Sequence, residues 1–209
     1  MLRYIGAVAR AYDKDGRLIE MKHKERYMKT VADLLKWEPL LTAEQQAKLL
    51  NVPRPERIHR RRVPENLNDL TLEQLDRLWR IRSTRELFTV SGFVLFGWSE
   101  KQTLKADAFG MLGLVNFVVD EVKRIGALFD AIASKPTAQE VLAGCDALDF
   151  GTFGLADWYA QRMGLQEHDR AFATPWVRVY QCRANDNAVA QYQKRLADIK
   201  AKEIQQKYR

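Results

Sequence analysis

The sequence predicts a mainly α-helical fold: a multi-helix bundle around a long buried helix at about residues 100–133, with a small N-terminal β-hairpin. A capping pattern, Ser or Thr followed three residues later by Glu or Gln, occurs four times, each time just before an apolar run. These four predicted helix starts lie at residues 71–74, 83–86, 99–102 and 137–140. The apolar residues of 100–133 cover more than one helix face, which is typical of a helix buried at the centre of a bundle.

The first 53 residues predict a small separate unit. Residues 13–16 have turn chemistry, with Gly16 able to adopt a positive φ, and the apolar residues on either side predict a hairpin within residues 1–22. Apolar spacing predicts a helix over residues 26–37, ended by Pro39. Thr42 then begins a second helix that runs to about Leu50.

The rest of the chain divides at an Arg- and Pro-rich linker. Residues 54–66 contain few apolar side chains and predict an extended linker rather than a packed element. Residues 67–184 then form the bundle, and residues 185–209 form a basic C-terminal helix. Within the bundle, Gly110 and Gly113 indicate the close approach of a neighbouring helix. A short helix is predicted over residues 153–163 with Gly164 as its stop, whereas residues 176–180 fit either a strand or a helix.

Composition excludes disordered, collagen-like and low-complexity classes, because 46% of the 209 residues are hydrophobic and 29% are charged. The net charge of +7 invites a nucleic-acid interpretation. However, residues 1–29, 54–62 and 194–209 each carry a net charge of +4, while residues 63–193 carry −4. The basic excess is therefore confined to three short segments of a mildly acidic protein.

Cysteine usage and hydropathy indicate a protein of a reducing compartment. Cys145 and Cys182 are the only cysteines and predict no disulfide framework. No apolar signal-peptide core follows Met1. The longest apolar run, residues 108–119, falls well short of the roughly 20 residues that a membrane span needs. We therefore expect a cytoplasmic protein with no membrane partner.

The candidate contacts for an acidic partner or for phosphate are basic side chains of the linker and of the C-terminal helix. Guanidinium groups pair bidentately with phosphate or carboxylate. Two alternatives stay open for them: a solvated or protein-docking strip, and a nucleic-acid contact. No aromatic residue lies inside the linker to stack on bases. The candidates are Arg54, Arg57, Arg60, Arg61, Arg62, Lys200 and Lys202.

The sequence offers no catalytic constellation, so we expect a non-enzymatic protein without cofactor or metal. Phosphate-binding glycine loops, a nucleophile elbow and metal-ligand spacings are all missing. His168 lies between acidic residues. The preferred interpretation is that His168 and the residue after it have a role in a turn or a helix cap. The enzymatic alternative would require Asp157, His168 and Cys145 to converge in one pocket.

Aromatic residues cluster in the last third of the chain, at Trp158, Tyr159, Trp176 and Tyr180. Core packing is the preferred interpretation for this group. Any exposed member is a candidate for a protein interface, because Trp and Tyr are enriched at binding hot spots.

Several motifs resemble uncharacterised proteins of tailed-phage and prophage structural clusters. The resemblance covers roughly residues 63–180 and is carried by the motifs VPENL (63–67), LTL (70–72), QL (74–75), FGTFG (150–154), DWYA (157–160), RMG (162–164), HD (168–169) and PWVRVY (175–180). It implies a tail-assembly-chaperone-like or other morphogenesis protein and transfers no catalytic residue.

We therefore expect a phage or prophage morphogenesis protein that acts by protein–protein contact, in the host cytoplasm or in the virion. Its partners would be other structural or assembly proteins, and homo-oligomerisation is left open. The alternative is a nucleic-acid-binding protein that uses the Arg-rich linker and the basic C-terminus.

Overall fold

A computed structural model describes residues 11–12, 18–19, 29–38, 52–133, 136–148 and 150–207. Across these residues the protein is mainly α-helical, with nine α-helices and a small antiparallel hairpin near the N-terminus, as the sequence predicts. The chain divides into two compact units, which we call unit 1 (Met1–Leu67 and Arg77–Val122) and unit 2 (Asn68–Asp76 and Lys123–Arg209). This division differs from the predicted sequence of N-terminal unit, linker, bundle and C-terminal helix.

The N-terminal hairpin pairs β1 (Ala11–Tyr12) with β2 (Leu18–Ile19). Helix α1 (Val31–Trp37) begins later than predicted, because the Thr30 hydroxyl caps it by accepting from the Asp33 backbone N–H. The Asp33 carboxylate in turn accepts from the Thr30 backbone N–H. The predicted turn at 13–16, the stretch 26–28, Pro39 and the second helix at 42–50 lie outside the described residues.

The prediction of an unpacked linker is wrong. Strands β3 (Arg57–Ile58) and β4 (Arg61–Arg62) form a two-stranded antiparallel hairpin within residues 54–66. Ile58 and Val63 are both buried, so two apolar side chains are enough to pack this segment into unit 1. We call residues 54–62 the arginine hairpin.

The remaining elements are helical. They are α2 (Leu72–Trp79), α3 (Thr84–Phe96), α4 (Glu100–Lys105), α5 (Ala108–Ile132), α6 (Ala138–Leu142), a 3-10 helix (Cys145–Ala147), α7 (Gly151–Met163), α8 (His168–Phe172) and α9 (Trp176–Lys207). All four predicted helix starts are confirmed. At each start the Ser or Thr hydroxyl accepts from the backbone N–H three residues on, which satisfies an orphan donor of the first turn.

The predicted long helix at 100–133 is two helices, because residues 106 and 107 leave the helical conformation. The Ala106 carbonyl accepts from the Val31 N–H at 3.1 Å, and the Ala108 N–H donates to the Lys29 carbonyl at 3.1 Å. The Asp107 carboxylate then accepts from the Gly110 N–H at 2.6 Å and so caps α5. Tertiary hydrogen bonds to the segment before α1 therefore replace the helical bonds that the sequence pattern predicts.

Each unit has its own buried apolar residues. In unit 1 these include Val31, Phe88, Met111, Leu114 and Val118. Unit 2 has a core cluster of Leu72, Ala156, Tyr159, Ala160, Ala171 and Val179. Residues 176–180 are helical, and α9 is continuous from Trp176, nine residues before the predicted start at Asn185. No described helix is both long and apolar enough to cross a membrane.

Candidate functional site

The arginine hairpin is built around an unusual two-residue turn. His59 and Arg60 connect the two strands with φ values of 44° and 69°. Two central residues with positive φ are the signature of a type I′ turn, which normally uses Asn-Gly or Asp-Gly because bulky side chains disfavour that region. Arg60, at the tip of this hairpin, therefore has a strained backbone conformation.

The register of the hairpin sets two positive charges opposite each other. Arg57 pairs with Arg62, and Ile58 with Arg61. Like charges directly opposite on neighbouring strands are destabilising. Arg57 and Arg62 also line a polar recess of about 350 Å³, together with Arg54, Glu56 and Glu65.

Only some of these arginines have described partners. Arg54 Nη1 donates to the Pro64 carbonyl at 2.6 Å, and its guanidinium lies 5.4 Å from the Phe117 ring centroid. Arg62 forms an exposed ion pair with Glu65 at 3.0 Å. Arg57, Arg60 and Arg61 are exposed and form no side-chain hydrogen bond or ion pair with any described residue.

A second cationic feature of unit 1 is an open cleft of about 530 Å³, which we call the Phe93 cleft. Arg77, Arg80 and Arg82 line it, with the rings of Phe93 and Trp98 as its aromatic wall. Phe93 is 51% exposed, and the Arg77 guanidinium lies 5.4 Å from its ring centroid. This cleft is not apparent from the sequence, because its residues come from three helices and the loops that join them.

The acidic side chains of the Phe93 cleft are already engaged. Glu100 accepts two hydrogen bonds from Arg85, at 2.6 and 2.8 Å. Glu86 accepts from the Arg82 backbone N–H at 2.7 Å. The His59 ring of the arginine hairpin packs against Trp98 with a centroid distance of 5.8 Å. The arginine hairpin and the Phe93 cleft are therefore neighbours on unit 1.

In unit 2, the exposed part of α9 carries a stripe of apolar side chains. Trp176 and Val179 are buried at its start, but every residue from 188 to 207 is exposed. Four of these are Val189, Tyr192, Leu196 and Ile199, which we call the C-terminal stripe. Their 3-4-3 spacing places them within about 80° of one another around the helix axis.

Basic residues flank the C-terminal stripe on both sides. At 3.6 residues per turn, Arg195 and Lys202 lie along one edge and Lys200 along the other. Asp198 lies on the opposite face, and Glu203 ends the stripe. Lys200 and Lys202, two of the predicted contact residues, thus border an apolar surface. Only the charge of this helix was predicted from the sequence, although the 3-4-3 spacing of its apolar residues is equally a sequence pattern.

The four candidate interface aromatics are mostly core residues. Tyr159 and Trp176 are each only 2% exposed, which confirms core packing, the preferred interpretation, and rules out these two as candidate interface residues. Tyr180 is half-buried and packs edge-on against Phe129. Trp158 is half-buried beneath the Arg183 guanidinium, at 5.0 Å.

Asp157 and His168 do come together, in unit 2. His168 Nε2 lies 2.9 Å from Asp157 Oδ1, and this hydrogen bond lowers the pKa of the Asp157 carboxyl, against a smaller opposing effect of desolvation. Gln161 also donates to Asp157, at 2.7 Å. His168 therefore joins α8 to α7 and does not cap a helix. Cys145, the third member of the enzymatic alternative, begins the 3-10 helix.

Among the described residues, no group of three or more His, Cys, Asp or Glu side chains is placed to hold a metal ion. Comparisons with protein-family models, curated proteins and solved structures found no match to this chain.

Proposed function

We propose that this protein is a non-enzymatic assembly protein of the phage or prophage morphogenesis class that its motifs resemble, working in the host cytoplasm or in the virion. The observation that supports protein–protein contact is the C-terminal stripe. A run of twenty exposed helical residues displays four apolar side chains in a row, and such a pattern is typical of a helix that packs against another helix.

The basic residues beside the C-terminal stripe indicate what charge a partner helix should carry. In a paired helix the residues beside the apolar seam face residues beside the partner's seam. Arg195, Lys200 and Lys202 would repel one another across a homotypic pair, whereas acidic flanks would complement them. We therefore propose a partner helix with an apolar stripe and acidic edges.

The energetics suit a reversible contact. Fully burying a large aliphatic or aromatic side chain is worth about 1.5–3 kcal/mol, so the four stripe residues supply about 6–12 kcal/mol before losses. Association costs about 4–15 kcal/mol in lost freedom of motion. Burial of the four apolar side chains alone thus gives a net binding free energy near zero. Charge complementarity would therefore decide which partner binds, as expected for an assembly factor.

The experiment uses purified full-length chain and the structural proteins of the source phage or prophage particle, analysed by co-elution. A labelled heptad peptide with Leu in the seam and Glu on its flanks serves as the defined probe, with a Lys-flanked peptide of the same seam as its control. We expect binding of the acidic peptide, co-elution with at least one structural protein, and loss of both in Leu196→Glu.

Ile204→Glu is the matched control. Ile204 lies on the same helix and is 59% exposed, but it lies about 100° from the centre of the C-terminal stripe. This variant should bind as the wild type does. No association with any structural protein would overturn the morphogenesis proposal, and equal losses in both variants would overturn the role of the stripe.

A further inference from the structure

The arginine hairpin is less stable locally than an ordinary hairpin would be. It holds two bulky residues at positive φ and sets Arg57 opposite Arg62. Departures from local rules of this kind are concentrated at functional sites. An anion that bound beside Arg57 would weaken this repulsion further than the exposed Arg62–Glu65 ion pair does, so Arg57, which has no described partner, is suited to phosphate or carboxylate.

The tertiary structure brings aromatic rings close to the arginine hairpin, which contains no Phe, Tyr or Trp of its own. The contact of His59 with Trp98 brings it beside the Phe93 cleft, where half of the Phe93 surface is exposed. Guanidinium groups and exposed aromatic rings therefore occur side by side on unit 1.

We propose that unit 1 binds single-stranded nucleic acid. The arginine hairpin holds phosphate groups through Arg57, Arg60 and Arg61, and the Phe93 cleft receives unpaired bases against Phe93 and Trp98. A positively charged track combined with aromatic stacking platforms is the arrangement by which proteins bind single strands without sequence preference. The Arg82 guanidinium, exposed at the edge of the cleft, extends the cationic track.

Two features favour nucleic acid over an acidic peptide at this surface. All cations that line the recess and the cleft are arginines, whose planar guanidinium groups pair with phosphate as they would with carboxylate but can also stack on bases, which an acidic peptide does not offer. The apolar component is aromatic at the open edge of the cleft, whereas the surface proposed for a protein partner, the C-terminal stripe, is largely aliphatic.

The test measures fluorescence anisotropy of the full-length chain with a labelled oligo-dT of about 20 nucleotides and with a duplex of equal length. We expect tighter binding to the single strand. Phe93→Ala should weaken it at least about five-fold, the lower end of what loss of one stacked base produces. Phe93 is half exposed, so this change should leave the fold intact, as circular dichroism would verify.

The arginines are tested by their effect on salt dependence. A double variant, Arg60→Ala with Arg61→Ala, should reduce the slope of log affinity against log salt by about 1.4, the value for two single-strand phosphate contacts. Lys200→Ala with Lys202→Ala removes the same charge from α9 and should leave the slope unchanged. The same control separates this surface from the basic C-terminal helix.

Three results would overturn the proposal. They are preference for the duplex, unchanged affinity in Phe93→Ala, and competition by polyglutamate as effective as that by unlabelled oligo-dT. The last two together would identify the surface as a site for an acidic protein. None of these results bears on peptide binding at the C-terminal stripe, so the two proposals fail independently.

Discussion

Gly113 is the position at which the packing of the arginine hairpin against α5 can be tested most directly. A Cβ atom built at this residue would lie well within 3.0 Å of the Pro53 carbonyl oxygen and 3.1 Å from Pro55 Cδ. The obstacle is backbone and a proline ring, neither of which can rotate away. The sequence predicts the close approach of a helix at this glycine, but its neighbour is the chain that leads into the arginine hairpin.

The expected cost of Gly113→Ala follows from two opposing terms. Alanine in a helix interior gains about 0.5–1 kcal/mol over glycine. Overpacking a closed site costs about 1–3 kcal/mol, and the upper end applies where the obstacle is backbone. The free energy of unfolding should therefore fall by about 2 kcal/mol, which corresponds to about 4–8 °C in Tm for a chain of this size.

Gly126→Ala is the matched control on the same helix. No atom of the described residues lies within 4 Å of the Cβ position at Gly126, so only the helix-propensity gain remains. This variant should be more stable than the wild type by about 0.5–1 kcal/mol. Urea and thermal unfolding, followed by circular dichroism, measure both changes.

Gly113→Ala and Gly126→Ala should change the free energy of unfolding in opposite directions, so a comparison of the two variants is decisive. Gly113 belongs to unit 1 and Gly126 to unit 2, so if the units unfold in separate steps each variant should shift a different transition. If Gly113→Ala stabilises the protein as Gly126→Ala does, residues 53–55 do not lie against α5. The placement of the arginine hairpin would then have to be abandoned.

Two further predictions concern single side chains. The Thr103 hydroxyl is buried in unit 1 and has no hydrogen-bond partner among the described residues, so Thr103→Val should raise the free energy of unfolding by about 1 kcal/mol; a loss of that size in urea unfolding would reveal a hidden partner. The hydrogen bond from His168 lowers the pKa of Asp157 in the folded protein. The stabilisation that this bond provides is therefore complete above the ordinary aspartate pKa, and it is lost as pH falls through the lower pKa of the folded state. His168→Ala should raise the Asp157 pKa in an NMR titration and weaken the acid dependence of stability, whereas an unchanged pKa would contradict the pairing.

Local signals predicted the helices well because capping depends on residues only three positions apart. The starts at Thr71, Ser83, Ser99 and Thr137 needed no knowledge of the rest of the chain, since each hydroxyl bonds within its own first turn. The stop at Gly164 followed for the same reason, because its φ of 64° is strongly favoured for glycine, which has no side chain to clash.

Distant contacts account for the errors. The predicted long helix is interrupted at residues 106 and 107 because Val31 and Lys29, about 75 positions away in sequence, form backbone hydrogen bonds with Ala106 and Ala108. The arginine hairpin appeared unpacked because few of its side chains are apolar, although Ile58 and the adjoining Val63 are buried. The Phe93 cleft was not predicted at all, since its arginines and its rings become neighbours only after α2, α3 and α4 have packed.

The structure also changes what the net charge of +7 means. At the arginine hairpin, charge is combined with aromatic rings, and at α9 it is combined with a seam of mainly aliphatic residues. Both proposed sites would select anionic partners, but we expect salt to act on them differently. Phosphate binding is driven mainly by counterion release and should fall steeply with salt. Burial of Val189, Tyr192, Leu196 and Ile199 does not depend on charge, so peptide binding there should level off at a residual affinity in high salt. A salt titration of one protein sample with both probes therefore distinguishes a single basic surface from two chemically different ones.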